Sequence, residues 1–355
     1  MLSALSGVKG DDIPYYPGEL YSFSKSVEHY EGLKAYYGFY RNDIDAESVA
    51  SGGAATALAH RFIENCGIVF GVSYADDYKH AKYLAIDNLN DLKKLKGSKY
   101  ISAEKKINGK HVFEMVAQCL QDSRKVLFIG LPCEVGSLLF WLQKRSISTE
   151  NLVTVDLICH GPTLQEVQKQ FVEKLEHRYH SHVVTFTTRY AKNRWSFPYI
   201  RVEFENGKVY MRPLYETDFG FALNYYPRNS CFNCQFKGCN HAADTTIGDY
   251  WGLTPNSAEY NPKGVSALIV RDEKGELLTN SIASDDFILK EADAKHIISH
   301  NPMYEYSTKK FKYYDTFAND LEKYGLEKAV RGNPQYKIYR KAALKKRIKL
   351  LLNKI

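Results

Sequence analysis

Apolar positions change their spacing several times along this chain, and the changes mark its elements. Small residues at Ser51-Gly52-Gly53-Ala54-Ala55 lead into Leu58, Phe62 and Ile63, which predicts an N-capped helix over 53–65. An apolar run over 67–72 reads as a buried strand. Residues 89–95 carry a short amphipathic helical pattern closed by Gly97, and 109–121 carry another. Then one unit occurs twice. The strand pattern of 125–129 ends in Gly130-Leu131-Pro132-Cys133, with a helix through Leu142. The strand pattern of 152–158 ends in Cys159-His160-Gly161-Pro162, with a helix over 163–176. Strand–helix–strand–helix predicts a parallel sheet with right-handed crossovers.

After His180 the texture changes. Residues 183–189, 199–205 and 208–211 alternate and are β-rich, with Asn206-Gly207 as a hairpin turn between the last two. Helical character returns over 218–225. A cysteine-rich loop over 231–239 follows, then strands near 245–248 and 266–270. The expected fold class is α/β, a mainly parallel sheet with flanking helices, plus an α+β second half. The expected divisions are an irregular lead-in over 1–35, an α/β half over 36–180, an α+β half over 181–335 and a basic tail over 336–355.

Charge sharpens that division. Lys and Arg total 48 against 41 Asp and Glu, a formal +7. Residues 336–355 hold eight bases and no acid, and without them 40 bases face 41 acids. The body is therefore near neutral, which removes the electrostatic case for a nucleic-acid partner. The 27 Tyr, 18 Phe and 3 Trp fit a large aromatic core or a site for a flat ring system. No apolar run of about eighteen residues exists to span a membrane. Residues 1–12 lack the long apolar core of a secretory signal. The expected location is cytoplasmic, so the seven cysteines read as thiols, ligands or catalysts rather than disulfides.

Four of them sit where chemistry is plausible. Cys133 and Cys159 each follow a predicted parallel strand at the start of a helix. Ligand sites form at that sheet edge, and a helix N-terminus favours thiolate. Cys231-Phe232-Asn233-Cys234 is a C-x-x-C turn whose two sulfurs can serve one centre, with Cys239 close by. Two from the sheet and two from the loop make four, which suits a 4Fe-4S cluster or a structural zinc equally on spacing alone. Cys66 and Cys119 read as small buried apolar residues.

Gly130-Leu131-Pro132-Cys133-Glu134, Val155-Asp156-Leu157-Ile158-Cys159-His160-Gly161, Cys231-Phe232-Asn233-Cys234-Gln235-Phe236-Lys237-Gly238 and Asp244-Thr245-Thr246-Ile247-Gly248-Asp249-Tyr250-Trp251-Gly252 together resemble the coenzyme F-420 hydrogenase/dehydrogenase beta-subunit family. Ser51-Gly52-Gly53 and Gly97-Ser98-Lys99-Tyr100 resemble its earlier motifs. The resemblance covers residues 36–270, in order. It implies a flavin- and iron–sulfur-dependent oxidoreductase that passes electrons between a 4Fe-4S cluster and FAD (or FMN). Cys133, Cys159, Cys231 and Cys234 would be the cluster ligands. Ser51, Gly52, Gly53, Thr56, Gly97, Ser98, Lys99, Tyr100, Gly130 and Pro132 would surround the flavin. Many bacterial relatives look like parts of polysaccharide pathways, which implies a small-molecule or lipid-linked sugar substrate.

Departures from the family pattern qualify this. No cysteine precedes Cys66, so the ferredoxin-like segment of many relatives is missing. An external donor, such as ferredoxin or a reductase, is then expected. Cys239 and His241 stand where leucine and arginine are common in the family. Cys239 could then serve as a ligand, and a phosphate or substrate contact falls in doubt. Glu134 replaces a usual glutamine and would lower a cluster's potential unless protonated or paired. Lys99 would meet a phosphate or a reduced flavin, or be a solvated loop lysine. His160 would be a proton donor near the flavin or a structural hydrogen-bonder; the reading leans to the second. Asp244 and Asp249 are expected to fix their loop through backbone hydrogen bonds.

Two other functions stay open at this point: a zinc-stabilised, non-redox enzyme of glycan assembly, and an electron-relay component of a larger complex. In the tail, Ile348, Leu351, Leu352 and Ile355 follow helical spacing, with Lys345, Lys346 and Lys349 largely on another face. That suits a helix lying on an anionic membrane surface, on the inner face of the cell membrane, or a solvated terminal helix.

Overall fold

A computed structural model describes residues 32–42, 49–191, 195 and 197–352. The lead-in expected over 1–35 lies outside these up to residue 31, as does Ile355. The side chains of Lys346, Lys349, Leu351 and Leu352 also lie outside them.

Fourteen strands follow in chain order: β1 (Lys34–Tyr40), β2 (Ile68–Tyr74), β3 (Ala81–Ile86), β4 (Ala103–Glu104), β5 (Lys106–Ile107), β6 (Lys110–His111), β7 (Val126–Gly130), β8 (Leu152–Leu157), β9 (Val183–Tyr190), β10 (Tyr199–Phe204), β11 (Val209–Pro213), β12 (Thr245–Asp249), β13 (Ser266–Val270) and β14 (Phe287–Glu291). Nine build one mixed sheet, in the order β14-β1-β13-β12-β8-β7-β2-β3-β4. Its centre, β12-β8-β7-β2, is parallel, as the repeated strand–helix unit predicts. Antiparallel pairs flank this centre at both sides. Helices Ala54–Glu64, Val112–Gln121 and Pro132–Gln143 pack on the sheet through Leu58, Phe62, Val116 and Leu138, all buried.

Register decides where the chemistry falls. Gly130 pairs with Asp156 across β7 and β8. Cys133 and Cys159 each lie three residues further on, at one level of the same carboxyl edge. β12 runs parallel to β8 and ends at the same edge with Asp249.

A second layer is a three-stranded antiparallel sheet, β11-β10-β9, packed with helices Gln165–Tyr179, Asp218–Tyr225, Tyr314–Tyr324, Leu326–Gly332 and Pro334–Leu352, while β12, β13 and β14 return to the large sheet. Phe171, Phe186, Phe204, Phe219, Phe221, Phe317 and Tyr339 fill the space between. Many of the chain's aromatics thus serve as core. The basic helix Pro334–Leu352 is tied to this core, because Tyr339 and Ala343 are fully buried. Arg340 donates to the Glu216 carbonyl at 2.9 Å.

Three local expectations change. The helix expected from 109 starts at Val112, because Asn108 and Gly109 take positive φ (50° and 82°) in a β5–β6 hairpin. The helix expected over 163–176 runs from Gln165 to Tyr179, since Thr163 is held in bridges to Ile101 and Pro227. Cys66 is exposed with φ 60°, just beyond a helix end, and is no core thiol.

Candidate functional site

The carboxyl edge of the central strands opens on a cavity of about 360 Å³, within the range of ligand pockets. Its wall includes Ser51, Gly53, Thr56, Gly97, Ser98, Lys99, Tyr100, Gly130 and Cys159-His160-Gly161. The sequence-predicted flavin segments, 46 residues apart at Ser51 and Gly97, therefore meet in one place. Gly52 and Pro132 lie outside the wall. A Cβ on Gly52 would stand 2.1 Å from the Gly38 carbonyl and 2.4 Å from the Ser266 nitrogen, so this glycine permits a close backbone crossing.

Gly53 is the N-cap of helix Ala54–Glu64, with φ 95° and no side chain to cap the first N–H groups. Ala54 N–H donates to Ser266 Oγ at 3.3 Å. The first turn carries no acid. A bare, positive helix end beside a cavity suits an anionic group such as a phosphate.

Lys99 stands in the cavity wall and closes a helix end there. Its Nζ donates to the carbonyls of Lys94, Leu95, Lys96 and Gly97 at 2.7–3.3 Å. It closes the negative end of helix Leu89–Leu95. Burial pushes its pKa down to about 7, while the carbonyls and the helix end act in the opposite direction. It is a helix cap in the cavity wall, not a solvated loop lysine.

Beside the cavity stand the four predicted thiols. Cys133 is the second residue of helix Pro132–Gln143. Cys159 follows β8 but precedes its helix by six residues, so no helix dipole supports it. Burial pushes the Cys159 thiol up to about 12, opposed by Lys237. Burial also raises Cys133, opposed by Arg228. The loop is strapped against the sheet edge: Thr163 Oγ1 donates to the Tyr226 carbonyl at 2.7 Å, and Arg228 N–H to Pro162 O at 3.1 Å. Gly161 takes φ 120°, and a Cβ there would stand 3.0 Å from the Cβ and Sγ of Cys231. Cys159 senses the charges of Cys231 and Cys133, and Cys133 that of Cys234. All four thus share one neighbourhood, although among the described residues no three Cys, His, Asp or Glu side chains meet as ligands of a single ion.

Two cations face this group. Arg228 Nη2 lies 3.5 Å from Cys133 Sγ, and the guanidinium also senses Cys231. Its Nε is buried without a partner. Lys237 Nζ donates to the carbonyls of Cys159 (2.5 Å) and Met303 (2.6 Å). Four thiols, two cations and a glycine that lets the loop approach fit an anionic iron–sulfur cluster.

Glu134 is paired, which meets the condition set by the sequence. Its buried carboxylate accepts from Tyr83 OH (2.7 Å) and Leu131 N–H (3.0 Å), and Lys105 Nζ lies at 2.8 Å. His160 lines the cavity and burial lowers its pKa to about 4. That direction disfavours the imidazolium form. Its carbonyl accepts from Thr308 Oγ1. His241 is fully buried, 2.8 Å from Asp156 and stacked on Tyr304 at 4.6 Å. It packs beneath the site. Cys239 is exposed and its charge is sensed by Tyr304.

Asp244 fixes its loop as expected, accepting from Thr154 N–H (2.6 Å) and Oγ1 (2.9 Å). Asp249 instead pairs with Arg189 at 2.5 Å in the cavity wall. Arg189 lies 5.9 Å from the ring centres of Trp195 and Trp251, which stack at 4.2 Å. Sequence reading missed Arg189, Arg228 and Lys105. Arg228 lies three residues before Cys231, which is the one signal that could have found it.

Residues 123–295 match the family described as the C-terminal region of the coenzyme F420 hydrogenase/dehydrogenase beta subunit. That region is similar to a family of oxidoreductase type, and the match spans just under half of the chain. The fold resembles a chain in a solved structure of the F420-reducing NiFe hydrogenase complex from Methanosarcina barkeri. That match has a TM-score of 0.50 and 17% identity, over 90% of this chain and 93% of the other. No curated protein matches the chain.

Proposed function

We propose that this protein is a flavin- and iron–sulfur-dependent oxidoreductase. Cys133, Cys159, Cys231 and Cys234 would hold a 4Fe-4S cluster, and the cavity would hold FAD. The observation that carries this reading is the position of Cys159-His160-Gly161, which belong to the thiol group and to the cavity wall at once. The bound groups would supply one-electron transfer at the cluster and hydride chemistry at the flavin. The chain's own residues do the rest. The uncapped helix at Gly53 attracts the anionic end of the cofactor. Arg228 and Lys237 offset the negative charge of the thiolates. Glu134, paired with Lys105, holds Leu131 and the helix that carries Cys133.

Protein isolated without oxygen should be brown, contain about four irons per chain and release flavin on denaturation. A colourless, zinc-loaded, flavin-free preparation would overturn the reading and favour the zinc-stabilised glycan-assembly enzyme. Cluster and flavin without turnover of any organic acceptor would favour the electron relay.

We further propose a substrate from polysaccharide biosynthesis, consistent with a membrane-facing helix. Among the described residues no helix is long and apolar enough to cross a membrane. Helix Pro334–Leu352 nevertheless exposes Ile338, Leu344 and Ile348 together with Lys337, Lys341 and Lys345, a mixture suited to an anionic lipid surface. Flotation with phosphatidylglycerol vesicles tests this. Equal flotation of the variant I338S/L344S/I348S, which leaves the buried Tyr339 and Ala343 in place, would sink it.

A further inference from the structure

Two segments cover the thiol group, and neither contains an acid. Residues 226–243 carry Arg228 and Lys237, and 306–314 carry Lys309, Lys310 and Lys312. The second segment lies directly on the first. Ser307 Oγ accepts from Cys234 N–H at 3.0 Å. Tyr314 OH donates to Pro227 O at 3.0 Å, and its ring meets Phe232 edge-on at 4.9 Å. Thr308 and Phe311 turn inward and are buried, while Lys309, Lys310 and Lys312 are exposed. Lys310 Nζ stands 5.1 Å from the centre of the Tyr314 ring, and Tyr314 senses Cys231. The nearby acids are exposed Asp315, 2.8 Å from Lys310, Glu305, and Glu322, which with Asp315 acts on Tyr226. The loop's exposed side chains include Asn229, Ser230, Asn233, Gln235 and Asn240, which are uncharged, and the Cys239 thiol.

We propose that this lysine strap is the docking surface for an acidic one-electron carrier protein. The inference rests on the cluster reading above and adds the partner and its place of contact. The step is one outer-sphere electron: the reduced carrier is oxidised, the cluster gains the electron, and no bond forms or breaks. A positive rim around a redox centre steers a negative carrier to the point nearest that centre and excludes positive ones. An anionic membrane would also be attracted by lysines. It would leave the thiol group facing headgroups that carry no electron, so the position of the rim favours the carrier.

The test is stopped-flow reduction of the anaerobic full-length protein by a reduced acidic two-cluster ferredoxin, followed by bleaching near 410 nm. Wild type should react, with a rate constant that falls as salt rises. The variant K309E/K310E/K312E should react at least about tenfold more slowly, and K309Q/K312Q should fall between them. Iron content and the end point with dithionite should match wild type in both. An unchanged rate in a cluster-loaded variant overturns the proposal. So does a cluster-loaded wild type that the ferredoxin does not reduce, or lysine-dependent vesicle binding with no effect on the rate. A wild type with no cluster, and so no bleaching by dithionite, fails at the function reading and takes this inference with it.

Discussion

The two halves of the thiol group are built differently. Cys133 and Cys159 sit at the ends of paired parallel strands, and burial raises both thiols. Cys231 and Cys234 sit on a short turn in which no residue from Asn229 to Asn233 is buried. The sheet half is positioned by backbone ladders made for other reasons. The loop half is held by a few contacts with neighbouring segments: Thr163, Pro162 and Ser307. Position is therefore inherited from the fold on one side and added by specific hydrogen bonds on the other. Protons must leave the thiols if a metal group is to bind, and burial opposes this at Cys133 and Cys159.

The largest way to break the comparison is Cys159→Ser. It should abolish bound iron, whereas Cys234→Ser should leave a partial, oxygen-labile load. Iron and sulfide analysis with electron paramagnetic resonance on anaerobic samples would show it, and equal loss in both would erase the distinction. Next comes Lys105→Met, which strands the Glu134 carboxylate in the interior. Lys105 is partly exposed, so about 2–3 kcal/mol of stability should be lost rather than the full value for a buried pair. The double variant with Glu134→Gln should recover most of it, as urea unfolding of the metal-free protein would report.

Gly161→Ala joins the two halves in one test. The added Cβ meets Cys231 at 3.0 Å, at a φ that side chains avoid. A loss of about 1–3 kcal/mol is expected, with iron content falling more than stability. The smallest effect concerns the base of β8. Burial and the adjacent Asp272 raise the pKa of Asp244 from 3.8 to about 6. Between these values the folded protein binds more protons than the unfolded chain, so this contribution is full below pH 4 and is lost as pH rises through 6. Asp244→Asn should remove about 1–2 kcal/mol of that decline, measured as urea stability at pH 4 and pH 7. An unchanged pH profile would show that Asp244 is ionised throughout.

Much of the parallel centre was legible in the chain, because a strand buried on both faces leaves an unbroken apolar run. Residues 67–72, 125–129 and 152–158 read that way and are strands. β1 was harder, since its tyrosines serve both faces, and β3 interrupts its apolar positions with Lys82. Helices Tyr314–Tyr324 and Leu326–Gly332 escaped as well, for their burial depends on a core assembled from distant aromatics. In the site, the glycine and cysteine motifs were visible because each needs a particular residue type. The helix-capping role of Lys99 was not visible, because a lysine that caps a helix looks, in sequence, like any loop lysine.

The sequence by itself determined many of the element types, the basic C-terminal segment and the four cysteines at three turns, since these follow from local spacing and side-chain chemistry. The tertiary structure alone decided which charges meet: Arg189 with Asp249, Glu134 with Lys105, His241 with Asp156, and the lysine strap with the cysteine loop. These partners lie 29 to 85 residues apart, or more, and only β-sheet register and core packing bring them together. Their pairing is a property of the folded chain's closeness in space, which local pattern does not encode.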